Sequence, residues 1–120
     1  MQSGVDIVKV SRFEKDAQNE KFLKKYFTSS EVEYLLTKLN KTETLAGLFA
    51  AKEAVLKALG LGIGRGIDLI DINILHDIFG APFVEITPKI NFYLMQKNCC
   101  NIALSISHDD EYAIAFCVIN

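Results

Sequence analysis

The chain opens with apolar and polar residues in alternation, which is the pattern of a β-strand. Val5 and Ile7 flank Asp6, and Val8 and Val10 follow, so a strand is predicted near the N-terminus. Successive side chains of a strand point to opposite faces of its sheet. If Val5 and Ile7 face the core, Asp6 therefore points the other way.

Two helices are predicted next from capping boxes, in which a serine is followed three residues later by a glutamate. The box Ser11–Glu14 starts a helix that runs to about Phe27, with a break near Asn19. The box Ser30–Glu33 starts a short helix that runs through Leu39.

The longest helix is predicted from about Thr42 to Leu59, and Gly60 ends it. Large apolar residues recur along it at helical spacing and form one stripe. The stripe consists of Leu45, Leu48, Phe49, Val55, Leu56 and Leu59. Lys52 falls near the middle of this stripe. We expect its aliphatic stem to pack while its amino group reaches water, and the alternative is a buried phosphate ligand.

The second half of the chain is dominated by strand patterns. Residues 70–74 and 83–86 are predicted strands, and Thr87–Pro88 opens a helix that runs to about Lys97. Residues 102–107 and 112–119 form a predicted hairpin. The expected fold class is α+β, with the helices mainly in the first half and packed on an antiparallel sheet of the later strands.

Composition limits the function classes. The chain has 120 residues, half of them apolar, and we expect a single domain over residues 1–120. A net charge of -2 argues against a nucleic-acid partner. Basic residues nevertheless gather near the N-terminus, where they form either a solvated face or a surface for an acidic protein. They are Lys9, Arg12, Lys15, Lys21, Lys24 and Lys25.

The cysteines and the apolar runs bear on the compartment. Cys99, Cys100 and Cys117 lack the spacing of metal ligands, and a reduced, cytoplasmic chain fits them best. No signal segment is recognisable and no apolar run is long enough to span a bilayer, so no membrane partner is expected.

Candidate chemistry first appears on the long helix. Glu53 and Lys57 lie one turn apart, on a side where Ala46 and Ala50 leave them uncovered. A carboxylate that can hold a divalent metal, beside a lysine that can neutralise phosphate, suits phosphoryl transfer. The alternative is an ordinary surface ion pair.

A glycine-rich segment follows this helix, with the sequence Leu-Gly-Leu-Gly-Ile-Gly-Arg-Gly over residues 59–66. Its glycines allow the backbone to approach a ligand closely. Because the segment follows a helix, it lacks the helix N-terminus that completes common phosphate sites. It is either a phosphate-binding loop or a simple connection to the next strand.

Three segments together resemble one family. They are Gly4-Val5-Asp6-Ile7-Val8, the helix Leu45-Ala46-Gly47-Leu48-Phe49-Ala50-Ala51-Lys52-Glu53-Ala54 with Lys57 and Ala58 in register, and Leu104-Ser105-Ile106-Ser107-His108. In this order they resemble the holo-[acyl-carrier-protein] synthases, the short bacterial type of 4′-phosphopantetheinyl transferase. The resemblance covers nearly the whole chain.

The resemblance implies a 4′-phosphopantetheinyl transferase-like fold and a reaction on coenzyme A, with a place in fatty acid biosynthesis. The phosphopantetheine arm would move to a serine of apo-acyl-carrier protein, and adenosine 3′,5′-bisphosphate would leave. Asp6 and Glu53 match the family's Mg²⁺ ligands. Lys57 matches a lysine that contacts the phosphates and is a candidate acid for the leaving group. Either Glu53 or a metal-bound water would take the serine proton.

The resemblance also suggests residues that bind coenzyme A. His108 matches a histidine near the coenzyme's phosphates, and Ser107, with Ser105, would position its turn. The loop residues Gly62, Gly64 and Arg65 would lie close to the coenzyme.

One position departs from the family, which commonly has an arginine for the 3′-phosphate where this chain has Leu48. Lys41 and Arg65 are the substitutes that we consider. If no cation replaces the arginine, coenzyme A and its dephospho form should bind equally well.

The remaining expectations concern partners. Arg12 matches an arginine that engages the acidic carrier protein, and Lys21, Lys24 and Lys25 extend the basic region around it. Members of this type form trimers with active sites between subunits. The alternative function is a noncatalytic coenzyme A or nucleotide-binding module, which Leu48 alone favours.

Overall fold

The computed structural model describes residues 1–62 and 65–120. Its main sheet contains three antiparallel strands, β1 (Gln2–Lys9), β4 (Ile102–His108) and β5 (Tyr112–Ile119), in the order β1-β5-β4. The first strand therefore pairs with the last, with Asp6 opposite Ala115. The predicted opening strand and the C-terminal hairpin are confirmed, as is the α+β class.

The first strand does not have the orientation considered above, in which Val5 and Ile7 would face the core. Gly4 and Val8 are buried, whereas Val5 and Ile7 are 49% and 60% exposed. Asp6 shares the side of Gly4 and Val8, which faces the longest helix. The predicted alternation is present, but Val5 and Ile7 lie on the outer face of the sheet.

That outer face is apolar and is not covered by any part of the chain that the structure describes. We call it the open sheet face, and it consists of Val5, Ile7, Tyr112, Ile114 and Phe116, each 41–60% exposed. Large apolar patches of this kind on a soluble domain mark interaction surfaces.

The longest helix, α3 (Lys41–Ala58), lies across the inner face of the sheet. Asn40 caps its N-terminus by accepting a hydrogen bond from the Glu43 amide, and Gly60 follows its end with a positive φ of 72°. The predicted bounds are confirmed. The helix is buried on more sides than the predicted stripe implied, because its alanines contact the sheet.

The first predicted helix is broken into three pieces. Two short 3₁₀ turns, Val10–Phe13 and Asp16–Gln18, precede α1 (Glu20–Tyr26). The predicted cap at Ser11 does not form, because Ser11 lies inside the first turn. The break near Asn19 is confirmed, since the Asn19 side chain caps α1 by accepting from the amides of residues 21 and 22.

The next helix, α2 (Ser29–Leu36), begins and ends earlier than predicted. Its capping box is formed by Thr28 and Glu31 rather than by Ser30 and Glu33. Glu31 is fully buried, since its carboxylate also serves a second partner on α3. The Ser30–Glu33 motif therefore does not cap the helix, because the tertiary contact of Glu31 favours the box that begins two residues earlier.

That partner is Lys52, and the expectation that it reaches water is wrong. Its side chain is fully buried, with Nζ 2.6 Å from Glu31 Oε1. Nζ also donates to the carbonyl oxygens of Tyr26, Leu69 and Ile72 at 2.7–3.1 Å. These internal acceptors leave no free donor for phosphate, so the alternative of a phosphate ligand is also contradicted.

The later strands are shorter than predicted. A 3₁₀ turn, Leu69–Asp71, replaces the first part of the predicted strand 70–74. Strands β2 (Ile74–His76) and β3 (Pro82–Val84) then form a separate two-stranded sheet. The helix predicted at Thr87–Pro88 is confirmed as α4 (Pro88–Gln96), which Thr87 caps. Within the described residues, no helix is long and apolar enough to cross a membrane.

Candidate active site

Strand β1 and helix α3 bring Asp6 and Lys57 together. Lys57 Nζ lies 3.0 Å from Asp6 Oδ1 and donates a second hydrogen bond, of 2.9 Å, to the Val5 carbonyl oxygen. This contact depends on Gly4, because a Cβ built there would lie 2.1 Å from the Ala54 carbonyl oxygen and 2.6 Å from the Ala58 nitrogen. Glycine thus lets the strand lie directly on the helix backbone.

Glu53 adds a second carboxylate to the same place. Burial raises the pKa of Glu53 above its ordinary value of 4.5, and the nearby charge of Asp6 raises the pKa further. Lys57 and Arg12 act in the opposite direction. We call Asp6, Glu53 and Lys57 the acidic site. A partly buried carboxylate whose proton affinity is raised by a second carboxylate nearby also favours the binding of a metal cation.

The acidic site fits a magnesium ion. Asp6 Oδ2 is buried and has no hydrogen-bond partner among the described residues. Carboxylate oxygens are the ligands that Mg²⁺ prefers, and it commonly uses only one or two of them, with water and substrate phosphate oxygens filling the other positions. The described residues contain no group of three or more metal-ligating side chains.

Arg12 lies close to the acidic site. Its guanidinium carbon is 5.2 Å from the centre of the Phe13 ring and 5.0 Å from that of Phe49. Its charge also lowers the pKa of Glu53. The other predicted basic residues, Lys21, Lys24 and Lys25, lie exposed on α1. The four cations that the sequence suggested for partner binding are therefore all exposed and all lie in the N-terminal part of the chain.

His108 lies at the opposite end of α3. Its Nδ1 is 2.6 Å from Glu43 Oε1, and Gly47 leaves room for the ring. The ring borders a cleft of about 260 Å³, which we call the histidine cleft. The cleft is lined by Tyr34, Lys38, Leu48, His76, Pro82 and His108, among others. Sequence reasoning missed Glu43, Lys38 and His76, because no local pattern shows that these segments meet.

The histidine cleft and the acidic site are far apart within one chain. His108 contacts α3 at Gly47, whereas Asp6 contacts it at Lys57, ten residues further along. Ten residues of α-helix span roughly 15 Å. The structure therefore joins Asp6, Glu53 and Lys57 but does not bring His108 to them.

The predicted serines face away from the histidine cleft. Ser105 and Ser107 are exposed and line a shallow groove with Ile114 and Phe116 of the open sheet face. This follows from the alternation of β4, which turns His108 and Ile106 toward α3 and the serines outward.

The remaining predicted residues are those of the coenzyme loop and Lys41, which was considered as a replacement for the family arginine at position 48. Lys41 donates from Nζ to the Lys38 carbonyl oxygen and lines a separate groove, not the histidine cleft. Gly62 and Arg65 are exposed and adjoin each other, with the Arg65 amide donating to the Gly62 carbonyl oxygen. Gly64 lies outside the described residues.

The chain is similar to known proteins over almost its full length. The sequence model of the 4′-phosphopantetheinyl transferase superfamily matches residues 2–117. A holo-[acyl-carrier-protein] synthase of Fusobacterium nucleatum is 41% identical over 117 residues, which cover 97% of this chain and 95% of the relative. One from Chlorobium phaeovibrioides is 43% identical, with 96% and 90% covered.

Solved structures agree with the sequence relatives. The holo-[acyl-carrier-protein] synthase of Helicobacter pylori, solved in complex with coenzyme A, is 35% identical with a TM-score of 0.85. The match covers 98% of this chain and 99% of that one. The corresponding structure from Neisseria meningitidis has a TM-score of 0.87 at 29% identity, covering 99% and 97%.

Proposed function

The chain belongs to the 4′-phosphopantetheinyl transferase superfamily, and we propose that it transfers 4′-phosphopantetheine from coenzyme A to a serine of apo-acyl-carrier protein. The observation that carries the chemistry is the acidic site, where two carboxylates and a lysine meet with one carboxylate oxygen left without a partner. The proposed reaction is a holo-[acyl-carrier-protein] synthase activity, and adenosine 3′,5′-bisphosphate is its second product.

The reaction breaks the pyrophosphate of coenzyme A. The serine oxygen attacks the phosphorus that carries the pantetheine arm, and the bond from that phosphorus to the bridging oxygen breaks. The bridging oxygen leaves on adenosine 3′,5′-bisphosphate. The serine proton passes either to Glu53 or to a water molecule at the acidic site. Lys57 places a positive charge beside the phosphates.

Asp6 and Glu53 would hold a magnesium ion in this reaction. When bound, Mg²⁺ supplies positive charge that offsets the negative charge developing on the pyrophosphate. The partnerless oxygen of Asp6 and the raised pKa of Glu53 support this assignment, because both carboxylates gain from a nearby cation.

The coenzyme would extend from the acidic site to the histidine cleft, with His108 toward its phosphates. Glu43 holds the His108 ring by its Nδ1 and leaves Nε2 for a ligand. The loop residues Gly62 and Arg65 would border the coenzyme, whereas Ser107 and Lys41 lie outside the histidine cleft.

We assign the carrier protein to the basic N-terminal region. Arg12 is exposed beside the acidic site, and Lys21, Lys24 and Lys25 extend the positive charge along α1. Complementary charges of this kind steer an acidic partner and act mainly on the rate of encounter. The three cysteines are free thiols, in keeping with a reducing cytoplasm.

We further propose that the active enzyme is a homotrimer with its sites between subunits. The open sheet face supports an assembly, because it leaves five large apolar side chains uncovered. The distance of roughly 15 Å along α3 between the two halves of the site also supports it. A neighbouring copy could bring its His108 to the acidic site of the first.

The test is mass spectrometry of a purified apo-acyl-carrier protein incubated with this protein, coenzyme A and Mg²⁺, with a chelator control. We expect the carrier to gain one phosphopantetheine group, and chelation to prevent the gain. Asp6→Ala and Glu53→Ala should abolish it in proteins that remain folded by circular dichroism. Coenzyme A binding without transfer to any of a panel of carriers would instead identify a noncatalytic binding module.

A further inference from the structure

The histidine cleft contains a cation that the sequence comparison with the family did not suggest. Lys38 follows α2 and lines the cleft together with Leu48. Leu48 is 2% exposed and has no polar atom in its side chain, so it supplies no contact for a phosphate here. Lys41, three residues further along, lines a different groove.

Lys38 is held in place by an aromatic stack. Its Nζ lies 4.6 Å from the centre of the Tyr34 ring. The Tyr34 ring also stacks on His76, with the ring centres 3.7 Å apart and an angle of 4° between the planes. A cation at this distance from a tyrosine ring is attracted to it, so the ammonium has a preferred position at the cleft.

The charge of Lys38 is available to a ligand. Among the described residues, no carboxylate lies within salt-bridge distance of its Nζ. Burial lowers the pKa of His76, and the neighbouring Lys38 lowers it further, whereas Asp77 acts in the opposite direction. The lowered pKa favours the neutral imidazole, which can donate one hydrogen bond without adding a second charge.

The cleft volume of about 260 Å³ is at the lower limit of small-molecule pockets. It suits one end of a nucleotide rather than a whole coenzyme. The cleft combines one free ammonium, one neutral imidazole and the His108 ring with its Nε2 free. Such a set of donors matches a phosphate monoester, which offers several acceptor oxygens and up to two negative charges.

We propose that Lys38, set by the Tyr34–His76 stack, binds the 3′-phosphate of coenzyme A and makes the enzyme select the phosphorylated coenzyme. The assignment rests on the proposed function, because it takes coenzyme A as the donor. It gives this chain a cation for the 3′-phosphate from the segment that follows α2, in place of an arginine on α3.

The experiment compares coenzyme A with 3′-dephospho-coenzyme A as donors for transfer to apo-acyl-carrier protein. Wild-type enzyme should show a kcat/KM at least about tenfold higher for coenzyme A, as expected for a charge-assisted phosphate contact. Lys38→Gln should lower kcat/KM for coenzyme A by about tenfold and leave the value for the dephospho form unchanged. Lys38→Arg keeps the charge and should keep most of the preference.

Lys89→Gln is the matched control, because it removes one exposed lysine charge from α4, outside the cleft. It should not alter the donor preference. Equal kcat/KM values for the two donors with wild-type enzyme would overturn the proposal. So would a Lys38→Gln variant that retains the wild-type preference, or one that loses activity equally with both donors.

A binding measurement separates this proposal from the proposed function. Calorimetry of adenosine 3′,5′-bisphosphate and of adenosine 5′-monophosphate needs no transfer. We expect wild type to bind the bisphosphate at least about tenfold more tightly, and Lys38→Gln to lose that difference. If no carrier is modified but this difference is found, the transferase function fails and the Lys38 site stands. Equal binding of the two nucleotides overturns the Lys38 site in either case.

Discussion

Glu53 shows at the scale of a single residue how the acidic site differs from a surface ion pair. Its side chain is partly buried, and the cause of its raised pKa is first burial and then the charge of Asp6. A carboxyl whose pKa is higher in the folded than in the unfolded state holds its proton more tightly when folded. Folding stability therefore falls as pH rises from about 4.5 through the raised pKa.

Glu53→Gln should remove this loss of folding stability at high pH, because glutamine does not ionise. We expect the variant to have a higher melting temperature than wild type at pH 7.5 in the presence of a chelator, and a smaller advantage at pH 4.5. Calorimetric scans at both pH values measure the difference. Adding Mg²⁺ at pH 7.5 should raise the melting temperature of wild type but not that of the variant, because a ligand stabilises only the state that binds it. A variant that melts below wild type at pH 7.5 would contradict the assignment.

Glu53 and Lys57 could be paired from the sequence because their spacing is local, whereas Asp6 was added to them only through the resemblance to the family. Glu53 and Lys57 are one helical turn apart, and Asp6 stands in a short motif near the chain start. The histidine cleft could not be found in this way. Lys38, His76 and His108 come from three distant segments, and only the tertiary fold brings them to one cleft.

At the scale of elements, the contact between β1 and α3 depends on the absence of one side chain. A Cβ at Gly4 would lie 2.1 Å from a backbone oxygen of α3, so the strand would have to move away from the helix. Gly4→Ala should therefore lower the free energy of unfolding by about 1–3 kcal/mol, as overpacking does. It should also weaken Mg²⁺ binding, because Asp6 moves with the strand.

Urea denaturation and Mg²⁺ titration measure these two effects. Ser3→Ala, at the exposed neighbouring position, is the control and should change stability by no more than about 0.5 kcal/mol. A Gly4→Ala protein with wild-type stability and Mg²⁺ affinity would show that the strand does not need this close approach.

Helices α2 and α3 are joined by the buried Glu31–Lys52 ion pair, which also fixes the segment before β2. Lys52→Met would leave Glu31 buried without its cation and should cost about 3–5 kcal/mol in the free energy of unfolding. The double variant Lys52→Met with Glu31→Leu should recover part of this loss, because no charge then stays buried. Urea unfolding of both proteins tests the pair, and a single variant as stable as wild type would contradict it.

The same ion pair explains why element boundaries were predicted less well than element types. A capping box at Ser30–Glu33 and one at Thr28–Glu31 are equally plausible locally. The second forms because Glu31 must also reach Lys52 and the Ile74 amide. The strand predicted at 70–74 gives way to a 3₁₀ turn where two carbonyl groups bind Lys52. Both outcomes depend on the buried Lys52, which the helical pattern places in the apolar stripe but whose amino group was expected to reach water.

At the scale of the whole molecule, the fold leaves two features incomplete in one chain. The open sheet face is apolar, and the acidic site lies roughly 15 Å along α3 from the histidine cleft. A trimer would cover the open sheet face, and it would bring the acidic site of one copy to the histidine cleft of another. Phe116→Asp, on the open sheet face, should then give a monomer by light scattering and lose transfer activity, whereas Lys89→Gln should stay trimeric.

Mixing two inactive variants tests directly whether the site is shared. Asp6→Asn destroys the acidic site and His108→Ala destroys the histidine cleft, so each homotrimer should be nearly inactive. In trimers reassembled from an equal mixture, a shared site is intact when an acidic site from a His108→Ala copy meets a cleft from an Asp6→Asn copy. Random assortment makes about one quarter of the sites intact, and transfer should recover to about that fraction of wild type. If each site lies within a single copy, every site has one damaged half and mixing restores no activity.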